Sequence, residues 1–279
     1  MVYFDNCDVV INGSGILADS ASVQSVNYLD PAYVLEKRGE AGQPVKDSIR
    51  SMVQISYMVE ADNEPNLEII ETIKQFRSDD HIAKGFTVEV AGVSGTFYIQ
   101  DYTLALKPNS AAQASVQFVT YEPLKGSLSS KKVGGDAVNY NQSNSIVNGW
   151  NTFITSSGAH GEFPTYDFSY QFRAQWVPIY AIGGKYPKQV QLMNASEMLN
   201  LTSSVHRHIT FSGERAEDAF STEFGSDMVI EAFEVDLLCD SSENSHLSLT
   251  MSGGLVVNTS LEARVGDIVR TKIGVNRNY

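Results

Sequence analysis

Phe168-Ser169-Tyr170-Gln171-Phe172-Arg173-Ala174-Gln175-Trp176 alternates apolar and polar side chains without a break. Successive residues of a strand point to opposite faces, so this run predicts a half-buried strand with one aromatic face and one polar face. It opens a longer segment, Asp167 to Val205, that continues with Pro178-Ile179-Tyr180-Ala181-Ile182, then Gly183, Gly184 and Lys185, then Lys188-Gln189-Val190. The same order occurs earlier, from Ser22 to Val59: an extended run, Pro31-Ala32-Tyr33-Val34-Leu35, a basic Gly-containing segment with Lys37, Arg38 and Gly39, then Gln43-Pro44-Val45. Each segment ends in a further strand-like run, Ser48 to Val59 and Met198 to Ile209. A second anchor follows in the same order at constant offset. Ile99, Tyr102, Leu104 and Leu106 fall on Ile230, Phe233, Val235 and Leu237, and Val116 and Phe118 on Leu247 and Leu249. Two anchors in one order indicate a tandem duplication.

Around these segments the chain punctuates itself. Asn12-Gly13 after Val9 to Ile11 suits a tight hairpin turn. Glu36 to Asp47, with Gly39, Gly42 and Pro44 among Lys37, Arg38 and Lys46, reads as a long loop. Ile49, Val53, Ile55, Tyr57 and Val59 alternate as a half-buried strand, with Met52 and Met58 on its other face. Leu67, Ile70, Ile73 and Phe76 recur at helical spacing behind Asn63 and Pro65, which predicts a helix whose apolar stripe covers a sheet. Phe86 to Tyr121 reads as an antiparallel meander with turns near Gly92 and Asn109. Residues 126–149 are rich in Gly, Ser and Asn without periodicity and read as a linker. In the second copy, Asn194 to Leu201 is expected to contain a helical turn, Glu214 to Phe224 a short helix, and Ser260 to Ile273 a hairpin.

The fold class expected is therefore mainly β with minor α: two tandem antiparallel β-sandwich or barrel domains, residues 1–125 and 150–279, each with a flanking helix. A net charge of −13 repels nucleic acid phosphate, which argues against DNA binding but not against letting DNA pass. No apolar run is long enough to cross a bilayer, and residues 1–8 do not read as a secretory signal. Cys7 and Cys239, one in each half, indicate neither a disulfide framework nor a zinc site.

Chemistry-bearing clusters are sparse. His206 and His208 would share a strand face but have no third ligand at a recognisable spacing. Glu60, Asp62 and Glu64 alternate like calcium ligands without the following Gly and distal Glu of an EF-hand. Gly13-Ser14-Gly15 lacks the Lys of a phosphate loop. No catalytic residue, metal or cofactor is expected.

The assembled pattern of strand, Pro-x-Tyr-x-Leu/Ile, Gly- and Lys-containing loop, strand, helix and meander resembles the tail-tube and baseplate-hub family of bacteriophages. The resemblance spans about Cys7 to Tyr121 and Ser157 to Val257. It implies β-sandwich domains whose neighbouring sheets join into a closed barrel, and long loops that contact the next ring. Those inter-ring contact residues would be Lys37, Arg38, Gly39, Lys46, Lys185 and Lys188. It further implies a structural virion protein, not an enzyme, that assembles in the host cytoplasm into the tail as a trimeric or hexameric ring. Such a ring would stack on itself or on adjoining tail proteins while genomic DNA passes through its lumen without specific binding. A hub or tube-initiator ring of the same family is the alternative position. A β-sandwich carbohydrate-binding or hydrolytic protein is the alternative from another class, motivated by the aromatic residues and scattered carboxylates.

Overall fold

The structure is a computed structural model that describes residues 7–30, 45–60, 64–76, 84–127, 152–156, 165–182, 184, 186–204, 210–211, 214–215, 229–238, 245–262 and 270–279. It is mainly β. Strands β1 (Cys7–Ile11), β2 (Ser14–Asp30) and β3 (Val45–Met58) lead into helix α1 (Glu64–Gln75). Strands β4 (Phe86–Val90), β5 (Val93–Leu106), β6 (Gln113–Thr120) and β7 (Lys125–Gly126) follow. The second half contributes β8 (Thr152–Ser156), β9 (Thr165–Ile179), β10 (Gln189–Ser204), the short pair β11 (Thr210–Phe211) and β12 (Glu214–Arg215), then β13 (Val229–Leu238), β14 (Ser245–Glu262) and β15 (Arg270–Asn278).

The first half closes on itself. Neighbouring strands run β4-β1-β2-β3-β6-β5, and β5 pairs back to β4, giving a closed six-stranded barrel. Turn chemistry sets the register of its short hairpins. Ile11 faces Ser14 across Asn12 and Gly13, both at positive φ (50° and 91°), the backbone of a two-residue primed turn. Gly126 lies at φ 93°, and a Cβ there would stand 2.1 Å from the Gly92 carbonyl oxygen, so only glycine fits.

Strand β5 then changes partner. Along one edge it pairs with β6; along the other, Val93 to Phe97 face β4, whereas Asp101 to Leu106 face Arg173 to Phe168 of β9. From β9 the same sheet runs on through β10, β15, β14, β13 and β8. The two halves therefore share one continuous sheet. A bulge at Gln100 marks the change of partner.

The alternation read from the sequence sets the core. Phe168, Tyr170, Phe172, Ala174 and Trp176 are all buried, and they share the core with Val53, Ile55 and Tyr57 of β3 and Ile69, Ile70 and Ile73 of α1. Phe76, just past α1, stacks on Phe172 with ring centroids 5.5 Å apart and meets Trp176 edge-on at 5.7 Å. Each such aromatic side chain contributes about 1.5–3 kcal/mol by burial. Among the described residues α1 is the one helix, and it covers sheet from both halves.

Several expectations are corrected. Asn194 to Leu201 is not helical but the middle of β10, paired to β9 on one edge and β15 on the other. A bulge at Met193 shifts its phase, after which Ala195, Glu197, Leu199 and Leu201 alternate inward. Glu214 and Arg215 form β12 opposite Phe211 and Thr210 rather than opening a helix, and 216–228 lie outside the described residues. β3 begins at Val45, so Lys46 belongs to a strand and not to the preceding loop. The second anchor pairs in a different register: Tyr102 faces Val116 in the first half, whereas Phe233 faces Met251 and not Leu247. The expected hairpin is present but longer, with β14 reaching Glu262 opposite Arg270.

Candidate functional site

The side of the sheet facing away from the core carries a broad polar surface. Directly opposed residues share a face, so registers can be followed from strand to strand. One row runs Ser22, Gln54, Gln117, Asp101, Arg173, Ser196, Asn278 across β2, β3, β6, β5, β9, β10 and β15. The next runs Ser20, Ser56, Ser115, Thr103, Gln171, Met198, Asn276. The surface crosses from barrel wall to second-half sheet without interruption.

Along these two rows the ionisable side chains are Asp101 and Arg173, and they neutralise each other at 3.1 Å. Gln171 Nε2 donates to the same carboxylate at 3.2 Å, and Arg50 Nη2 donates to Gln100 Oε1 at 3.1 Å. Amides and hydroxyls make up most of what remains. A shallow depression of about 300 Å³ in this face is lined by Gln100, Asp101, Gln117, Arg173, Gln175, Asn194 and Ser196.

Two β-ribbons extend from the sheet. Beyond Arg173, β9 pairs only with β10, and β10 gains β15 as a neighbour only from Ser196 onward, so Ala174–Ile179 and Gln189–Ala195 form a two-stranded arm. Its far end carries partly exposed apolar side chains, Val177, Ile179, Tyr180 and Tyr186, with Ile182 fully in solvent; Met193, at the bulge near the base, is also exposed. In the first half, β3 before Ser51 pairs only with β2, and β2 beyond Ala18 has no partner on its other edge among the described residues. Both ribbons belong to the hairpins that the sequence places in the two copies.

Of the predicted contact residues, Lys46 and Lys188 are described, and each lies on one of these ribbons. Lys188 is exposed at the start of the second ribbon, where its backbone N–H donates to the Ile179 carbonyl at 2.8 Å. Lys46 pairs with Leu29 in the first ribbon. Lys37, Arg38, Gly39 and Lys185 lie outside the described residues, as do His206, His208 and Asp62. Sequence reading missed the exposed apolar set on the second arm, although Pro178-Ile179-Tyr180-Ala181-Ile182 is an apolar run, of which Pro178 and Ile179 pair with β10 alone. It also missed the polar rows, whose signal is the alternate position in each predicted strand.

Inside the barrel a polar cluster is fully enclosed. Asn66 Oδ1 of α1 accepts from Tyr57 at 2.6 Å and from Tyr102 at 3.0 Å. Burial pushes both phenols above their ordinary range. Without solvent access this cluster fixes α1 on the sheet. Desolvation raises the Glu60 carboxyl. Among the described residues no three His, Cys, Asp or Glu side chains converge as metal ligands, and no helix is long and apolar enough to cross a membrane. No protein-family model matches this chain, and no curated protein matches it.

Proposed function

We propose that the chain is a structural subunit of a bacteriophage tail, closing into a trimeric or hexameric ring of the tail tube or of its hub, with two tube-like units per chain. The observation that carries this reading is the polar sheet face. A wall of amides and hydroxyls whose charges cancel offers a moving polyanion neither lysine contacts nor strong repulsion. With α1 on the opposite side, this face is the surface suited to line a lumen.

The arms support the same reading. A projecting ribbon with an exposed apolar end suits contact with the next ring, and the β2 edge, which has no partner beyond Ala18 among the described residues, suits a neighbouring subunit within the ring. DNA would pass without specific binding, and the protein would reside in the virion after assembly in the host cytoplasm. The hub position is favoured by the presence of a long hairpin in each half, since a trimer would then present six related arms.

Negative-stain electron microscopy with mass photometry tests the reading. Rings with a central hole and a mass of three or six chains are expected. Monomers at every concentration, joined by turnover of a glycan panel, would replace it with the carbohydrate-active alternative.

A further inference from the structure

We propose that the depression where β5 and β9 part is a binding site for one neutral sugar residue, held through its hydroxyls. The site goes beyond ring assembly, since a single chain supplies all of it. Gln117 comes from β6, Gln100 and Asp101 from β5, Arg173 and Gln175 from β9, and Asn194 and Ser196 from β10, around about 300 Å³. Two bulges build it. Neighbouring residues of a regular strand point to opposite faces, yet Gln100 and Asp101 both line the depression, because Gln100 is the extra residue between the Ile99–Phe118 and Asp101–Gln117 pairs. Across the hollow, Met193 is the extra residue between the Leu192–Trp176 and Asn194–Gln175 pairs, and it brings Asn194 onto the outer face opposite Gln175. Each bulge thus adds a carboxamide to the same place. Ala174 and Ala195, paired with each other between these groups, are buried and put no long side chain into the space.

The hydrogen bonds already made fix what each group has left to offer. Gln100 Oε1 accepts from Arg50 Nη2 at 3.1 Å, which leaves the Gln100 amide nitrogen to donate. Gln117 Nε2 lies 3.3 Å from Met52 Sδ, which leaves Gln117 Oε1 to accept. Asp101 is occupied by Arg173 Nε at 3.1 Å and by Gln171 Nε2 and Thr103 Oγ1, each at 3.2 Å. Its charge is matched, and the Arg173 Nη groups remain as donors. The side chains of Gln175, Asn194 and Ser196 make no hydrogen bond among the described residues, and each can donate or accept.

Interleaved donors and acceptors around a small hollow match a ring of hydroxyls, because every hydroxyl donates one hydrogen bond and accepts others. The Asp101–Arg173 pair cancels, so the lining holds no surplus charge for a phosphate or carboxylate to meet. No aromatic side chain lines the hollow, and a nucleobase would go without the stacking that carries most of its binding to protein. An extended peptide takes its hydrogen bonds from an unpaired strand edge, whereas the groups gathered here are side chains on a sheet face.

Saturation-transfer NMR and calorimetric titration of the full chain with glucose, galactose, mannose and N-acetylglucosamine test the proposal. At least one of these sugars should bind saturably at millimolar concentration, at a single site per chain. Gln175 and Asn194 are both exposed, so a Gln175→Ala, Asn194→Ala double variant should keep the wild-type circular dichroism spectrum while binding that sugar about tenfold more weakly. Gln54→Ala, on the same face but away from the hollow, should bind as the wild type does. Absence of saturable binding by every sugar of the panel overturns the proposal, as does binding that survives the double variant unchanged. Tighter binding of glucuronate or of a mononucleotide than of any neutral sugar overturns it as well. The titration needs no assembled ring, so its failure leaves the ring reading standing, and a chain that forms no rings can still be tested for the sugar.

Discussion

Trp176 Nε1 donates to the Ile99 carbonyl at 2.6 Å, and the Tyr121 hydroxyl in turn donates to the Trp176 carbonyl at 3.0 Å. These bonds sit where β5 leaves β4 and takes β9 as its neighbour, a gap in the ladder that would otherwise leave backbone polar groups without strand partners. Trp176→Phe keeps most of the apolar volume and removes the donor. It should cost about 1–3 kcal/mol, and Trp176→Ala about 3–5 kcal/mol, by urea unfolding. Equal costs for the two would mean that volume alone matters at the fork.

Asn66 accepts two phenolic hydroxyls with one oxygen. The two phenols are also hydrogen-bonded to each other, so Asn66→Ala should leave one hydroxyl hydrogen without an acceptor and cost about 1–3 kcal/mol, whereas Tyr57→Phe and Tyr102→Phe should each cost about 1–2 kcal/mol. A cycle combining Asn66→Ala with both Phe substitutions should recover part of the loss, because the stranded hydroxyl is gone. Strict additivity would show that water reaches the cluster.

The same two phenols make stability pH-dependent at the alkaline end. Their folded values are raised by burial, so above an unfolded value of about 10 the unfolded chain releases protons that the folded chain retains. Their contribution is fully present below that pH and is lost as pH rises beyond it. A Tyr57→Phe, Tyr102→Phe double variant should show a shallower decline between about pH 10 and 12. A slope equal to that of the wild type would assign the alkaline loss to other groups.

Ile182→Asp and Lys188→Glu alter the second arm without touching the core. Both should fold normally by circular dichroism, and Ile182→Asp should abolish stacking of rings in electron micrographs while single rings persist. Deleting residues 39–42 from the first loop should act in the same way. Tubes of undiminished length would remove the arms from the inter-ring contact.

Gln54, Gln117 and Gln171 lie on the polar rows, and replacing all three with Lys adds three charges per chain to the proposed lumen. The assembled variant should retain DNA with steep salt dependence, whereas the wild type should not. Equal retention by both would place this face elsewhere in the assembly.

The strands most legible in the sequence were those with strict alternation and a single buried face, as in β9, β3 and β6. Helix α1 was legible because Leu67, Ile70, Ile73 and Phe76 carry its period without interruption. Legibility failed where a bulge broke the period. Met193 throws β10 out of phase, and the resulting spacing of Leu192, Ala195 and Leu199 imitates a helix. The pairing of β5 with β9 was not legible at all, since both strands have the same alternation whichever neighbour they take. The polar rows and the depression between Gln100 and Asn194 depend on register and on tertiary approach, which no single segment encodes.

Because β5 belongs to the barrel through β4 and β6 and to the second half through β9, it is also the path by which tension crosses the molecule. A pull along the strands loads the pairs from Asp101–Arg173 to Leu106–Phe168 together, in shear, so that they must break at once. A pull across the strands would open them one after another, like a zip. A chain built this way resists stretching along its strands far better than splaying of its halves, and in the proposed ring the direction of the strands would set which of those loads it meets.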